Sequence, residues 1–190
     1  MSFSLAKYQA DIARIMGRAK HVVVEANVAA LNRTMISVRA EVIKRVRKRY
    51  PGFKAAVIRA AMKTHRATRV QPVARIEVRG RRTPLVNFGA KQKGAGVSVR
   101  ITRRKIVKGT FLATMKSGHT GVFWRTGERG RRGNPRLERI AQLFTLSVPQ
   151  SVEQVLEQEL ASMGKFAELR YRVELTREIK FRVARLRGRA

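Results

Sequence analysis

The chain has 190 residues, 43 Lys and Arg against 12 Asp and Glu, a formal net charge of +31, and no cysteine. That length suits one domain, or one domain with a long appendage, and the absence of cysteine excludes disulfides, thiolate catalysis and cysteine-ligated zinc. The charge makes an isolated compact monomer self-repelling, so a polyanion or acidic neighbours are expected beside it, with nucleic acid the default polyanion.

Residues 4–20 read as a first helix, with Leu5, Tyr8, Ile12, Ile15 and Ala19 at three- and four-residue steps and Gly17 weakening its end. Residues 21–49 read as a second, longer helix. Val24, Val28, Leu31, Met35, Val38, Val42 and Val46 trace its apolar stripe. Arg45, Arg47, Lys48 and Arg49 crowd its C-terminal end, as the helix dipole favours. That end is either a phosphate contact or a solvated helix terminus. Tyr50-Pro51-Gly52 stops the helix. Residues 53–66 suggest a shorter helix. A helix, a turn and a second helix resemble a DNA-reading unit, but the second is alanine-rich and lacks the polar residues that read base edges.

The composition shifts near Gln71-Pro72. Ala74, Ile76 and Val78 alternate with Arg75, Glu77 and Arg79 as a strand with one wet face. Arg81 and Arg82 fall in the following turn, residues 85–88 read as a second strand, and residues 89–96 as a flexible loop. Val97, Val99 and Ile101 mark a third strand, and Arg103, Arg104 and Lys105 a basic turn. Residues 110–125 then form a β-hairpin around a Gly-containing turn. Phe111, Phe123 and the single tryptophan, Trp124, sit on it and are expected to carry much of the aromatic core. A basic, glycine-rich loop at residues 127–133 follows, with Arg129, Arg131 and Arg132. Residues 136–146 read as a strand, or as a short turn plus a strand. Val148-Pro149-Gln150 reads as a break, and Ser151 with Gln154 as a capping box opening a last helix to about residue 187.

The expected fold class is α+β. N-terminal amphipathic helices (residues 1–70) and a small, mostly antiparallel sheet (71–148) pack as one domain, with a long C-terminal helix (149–190). No catalytic constellation is legible. His21, His65 and His119 are far apart and lack metal-ligand spacing. Nucleotide-binding and nucleophile-elbow motifs are absent, and Glu128 has no second acid or histidine close in sequence. The expectation is therefore no enzyme, no cofactor and no metal. The N-terminus is too polar for a signal peptide and no run of about 18 apolar residues exists, so a soluble, cytoplasmically made protein without a membrane partner is expected.

Three segments resemble the minor tail protein Z family of tailed bacteriophages: VARIEVRGRRTPLVNFGA (73–90), the hairpin and basic loop (109–140), and FTLSVPQSVEQVLEQEL (144–160). The Ala-Leu-Asn-Arg segment ending at Arg33 resembles the family's early Asn-Arg-rich helix. The resemblance implies a structural virion protein at the head-proximal end of the tail, in the neck. Its expected partners are other tail and neck proteins, the tail terminator and the connector among them. It also implies a homo-oligomer, as a hexameric ring, near the DNA channel. The basic turns and the basic helix end are then the expected contacts with DNA phosphate or acidic partners, blind to sequence. The alternative is a stand-alone, sequence-nonspecific nucleic-acid-binding protein of the ribosome or chromosome. A single-strand binder of that kind shows exposed aromatics interleaved with arginine.

Overall fold

A computed structural model describes residues 5–129 and 138–187, with side chains described for residues 20–128 and 138–185. Among these, long helices at either end flank short strands, an α+β fold. The helices are α1 (Leu5–Arg49), α2 (Ala55–Ala61) and α3 (Val148–Arg187). The strands are β1 (Met62–His65), β2 (Arg75–Val78), β3 (Arg82–Pro84), β4 (Lys91–Lys93) and β5 (Gly96–Arg100). They continue with β6 (Arg104–Lys108), β7 (Thr110–Thr114), β8 (Thr120–Arg129), β9 (Glu138–Gln142) and β10 (Phe144–Ser147). The expected single sheet is four small ones: β1-β2, β10-β3, β4-β5-β6 and β7-β8-β9. Pairing in the last three is antiparallel.

The chain forms two compact units, one of Met1–Ala40, Thr64–Glu77 and Ala161–Ala190, the other of Glu41–Lys63 and Val78–Leu160. Each draws residues from all three segments expected from the sequence.

In the first unit α1 and α3 run antiparallel: Glu25 meets Arg182, Arg33 meets Glu178, and Ser37 meets Arg170. Ala26 and Ala30 are fully buried, so small side chains let the backbones approach. Glu174 and Glu178 are buried too. Desolvating a carboxylate costs several kcal/mol. Arg33 offsets that cost by bridging both glutamates, with Arg170 and Arg182 one helical turn from each. Next to Arg33, Asn32 acts like a short piece of strand. Its Nδ2 donates to the Ala67 carbonyl at 3.0 Å and its Oδ1 accepts from the Ala67 N–H at 2.8 Å. The Asn-Arg pair therefore ties one face of α1 to a loop and to α3.

In the second unit the core is aromatic and β-branched. Phe53 packs edge-on against Phe88 with centroids 4.8 Å apart, and Tyr50 against Phe53 at 6.3 Å. Val46, Val97, Val122 and Val155 are buried around them.

Several elements depart from the sequence reading for physical reasons. Helices 4–20 and 21–49 are one 45-residue helix. A lone Gly17 costs only about 1 kcal/mol, too little to end a helix with no proline or cap beside it. The helix expected over 53–66 stops at Ala61, and Met62–His65 is extended because it pairs with β2. Residues 85–88 are a 3-10 helix and not a strand. With three residues per turn, Leu85 and Phe88 fall on one side and are both buried. In a strand they would face opposite ways. Gly89 ends this turn in the left-handed region at φ 62°.

The start of α3 lies one turn earlier than expected. The Ser147 Oγ accepts from the Gln150 N–H at 3.3 Å, and the Gln150 Oε1 accepts from the Ser147 N–H at 3.1 Å. This reciprocal pair is the capping box. Pro149 sits in the first helical turn, where its missing N–H is not needed. Ser151 is buried and donates to the Val148 carbonyl at 2.7 Å.

Candidate functional site

Much of the second unit is basic sequence with few acids. No Asp or Glu occurs between Glu41 and Glu77, or between Glu77 and Glu128. Within that acid-free stretch, α1 ends on Arg47, Lys48 and Arg49. Arg47 and Lys48 are exposed, and neither has an ion-pair partner among the described residues.

Arg45 and Arg49 do different work. Arg45 is half-buried; its Nε lies 2.9 Å from Glu41 and its Nη1 2.5 Å from Glu159. The bond to Glu41 holds the guanidinium above its ordinary pKa, burial opposes this, and Glu159 adds to the rise. Its stabilising effect is present below the unfolded-state pKa and lost only above it, so Arg45 is a structural cation at any working pH. Arg49 bonds Gln158 and lies over the Tyr50 ring at 5.7 Å. Tyr50 in turn bonds Gln154. These contacts tie the end of α1 to the start of α3.

One glycine joins this helix end to a second basic segment. The Gly52 N–H donates to the Ile101 carbonyl at 3.1 Å. A Cβ on Gly52 would stand 1.8 Å from the Arg100 carbonyl oxygen, so only glycine fits. The β5-β6 turn therefore packs on the Pro51-Gly52 turn. It carries Arg100 and Arg104 as direct cross-strand partners, with Arg103 in the turn and Lys105 beside it. Like charges opposite each other in a sheet are destabilising. Arg104 is partly held by Ser98 Oγ at 3.2 Å, whereas Arg103 and Lys105 are exposed and border a cavity of about 190 Å³ with Val99, Ile101 and Thr102. Two segments read separately in the sequence, the one that follows Arg47 to Arg49 and the one that carries Arg103 to Lys105, thus meet through the Gly52–Ile101 contact. Arg100 joins them. Sequence reading missed it as a strand residue, though the acid-free stretch was there to be seen.

Arg81 and Arg82 are exposed at a different place. There Arg82 opposes Ser147 in the β3-β10 pair, and Gly80 lies against Pro149. The side chain of Arg129, and Arg131 and Arg132 altogether, lie outside the described residues.

Phe111 and Phe123 are direct partners in the β7-β8 hairpin, with centroids 6.2 Å apart. Trp124 is a correction: it is 43% exposed and not part of the core with Phe123. Adjacent strand residues face opposite ways, so burying Phe123 turns Trp124 outward. It does not make a stacking platform with its neighbour. Arg125 lies over the Phe111 ring at 5.6 Å and pairs with Glu138 at 3.3 Å.

Each histidine has one polar neighbour: His21 with Glu25, His65 with Glu77, His119 with Gln142. Among the described residues no group of three or more His, Asp or Glu is placed to hold a metal ion. No described helix is long and apolar enough to cross a membrane.

What this arrangement can do chemically is present fixed positive charge to a polyanion. A family model described as prophage minor tail protein Z matches residues 9–186. No curated protein and no solved structure matches the chain.

Proposed function

The chain belongs to the prophage minor tail protein Z family, a structural part of the phage tail, and from that premise we propose that it is a tail-completion subunit of the neck. In this reading it sits at the head-proximal end of the tail, joins the tail to the head connector and lies beside the DNA channel. It acts by binding and has no catalytic step. The family match over nearly the whole chain carries the reading.

The surface around Gly52 and Ile101 supports the finer placement. Exposed cations with no acidic partner are unfavourable in a protein of net charge +31 unless something negative is close. Duplex DNA supplies one phosphate charge per about 1.7 Å of axis, and contacts to it need no base reading. The same self-repulsion is best tolerated in copies arranged around a polyanion, which favours a homo-oligomeric ring, as a hexamer, with the tail terminator and connector as neighbours.

Deletion of the gene from an inducible prophage tests this. Filled heads and full-length tails are expected to accumulate unjoined, and the wild-type chain supplied in trans is expected to restore joined particles. Normal yields of infectious particles without the chain would overturn the reading.

A further inference from the structure

We propose that the start of α3 is a receptor groove for the end of α3 of a second copy of this chain, a contact that joins copies head to tail. The inference deepens the oligomeric reading above and rests on it.

The observation behind it is a pair of acids left alone. Among the described residues every other glutamate has an Arg, Lys or His nitrogen at ion-pair distance. Among these same described residues Glu153 and Glu157 have none, although cations outnumber acids in the chain by more than three to one. Both are exposed and one helical turn apart. They border an apolar groove of about 500 Å³ lined by Val78, Pro149, Val152, Leu156 and Leu160, the last 68% exposed. An apolar floor with a negative rim fits an apolar ridge that also carries cations.

The chain carries such a segment. On α3, Leu169, Val173, Arg177 and Phe181 follow at four-residue steps and form one ridge. Leu169 is 63%, Val173 50% and Phe181 61% exposed. Arg177 and Lys180 are exposed cations without an acidic partner among the described residues. At 1.5 Å per residue the ridge is about 18 Å long, and the helical wall of the groove from Pro149 to Gln158, before the kink at Glu159, about 14 Å. Polarity and sign of charge therefore match, on stretches of similar length. Because groove and ridge are different surfaces, the contact is heterologous, and repeated copies form a ring if the rotation closes.

Charge-swapped variants of the full chain test this by mass photometry in about 0.3 M salt, where long-range repulsion between copies is screened. Wild type is expected to form multimers. Glu153→Arg/Glu157→Arg places cations in both groove and ridge, and Arg177→Glu/Lys180→Glu places acids in both. Each is expected to weaken self-association roughly 100-fold or more and run as a monomer, with the helical circular-dichroism signal of wild type. Mixed together, the two variants are complementary at every contact, and multimers are expected to return. Wild-type multimers that persist in either variant, or a mixture that stays monomeric, would overturn this surface and leave the oligomeric reading standing. A wild type that is monomeric throughout would remove both. Monomeric wild type whose incorporation into tails is lost with Glu153→Arg/Glu157→Arg would assign the groove to another tail protein and overturn the proposal.

Discussion

Gly52→Ala is expected to destabilise the second unit by about 2–3 kcal/mol, the upper part of the range for forcing extra volume into a packed site that cannot relax. The new methyl would meet the Arg100 carbonyl oxygen at 1.8 Å, Phe88 Cδ1 at 2.7 Å and the Arg100 carbonyl carbon at 2.9 Å. A side chain can swing aside; a strand carbonyl cannot. The Pro51-Gly52 turn must move, which breaks the bond to Ile101 and disturbs the Phe53-Phe88 packing. Urea unfolding reads this as a midpoint lowered by roughly 1–2 M. Gly94→Ala is the control: its Cβ meets nothing within 4 Å, and a change within about 0.5 kcal/mol is expected. A wild-type midpoint for Gly52→Ala would mean that the α1 end and the β5-β6 turn are not packed together.

The second large effect is electrostatic. Neutralising Arg47, Lys48, Arg103 and Lys105 to Gln is expected to lower duplex-DNA affinity about 100- to 1,000-fold at roughly 0.1 M salt. The slope of log affinity against log salt should fall by about 3 to 4, near one unit for each phosphate no longer neutralised. Fluorescence anisotropy of a labelled duplex across a salt series reads both quantities. Stability should hardly change, since none of the four has an ion-pair partner among the described residues. Arg45→Gln should behave in the opposite way. It severs the bonds to Glu41 and Glu159 and costs stability, but barely alters the salt slope. An unchanged slope in the fourfold variant would show that these cations do not face DNA.

Local pattern was easiest to read where period and chemistry agree. The alternation of residues 110–125 placed the hairpin, and Phe111 does face Phe123. The stripe from Val24 to Val46 placed only the second part of α1, residues 21–49, and its first member, Val24, is exposed while Ala26 and Ala30 are buried; the Asn-Arg segment of the family resemblance is the piece of α1 that holds a loop and α3. Reading failed where a neighbour in space decides. Residues 62–65 carry helical periodicity, but pairing with β2 extends them. Leu85 and Phe88 suit a strand by composition, yet the core needs both on one side. The sequence holds two Ser-x-x-Gln capping boxes four residues apart, Ser147 with Gln150 and Ser151 with Gln154. The reciprocal bonds between Ser147 and Gln150 select the first, while the Ser151 hydroxyl turns back to the Val148 carbonyl.

The basic site was half legible for the same reason. Composition gave the expectation of a negative neighbour for the cations, and turn positions marked which were exposed. That Gly52 joins two of those groups depends on a contact between residues about fifty apart, which no local pattern encodes. The acids of the groove were invisible to a search for catalytic spacing, because their meaning lies in lacking partners.

A cryo-electron-microscopy reconstruction of the head–tail junction of the intact particle decides whether the chain lies in the neck against DNA. The expected result is density for this chain at the head-proximal end of the tail, with Arg47, Lys48, Arg103 and Lys105 within about 8 Å of DNA phosphates, the reach of unscreened charge at physiological salt. Density for the chain at the distal tip, or at the neck with that surface turned to bulk solvent, would contradict it.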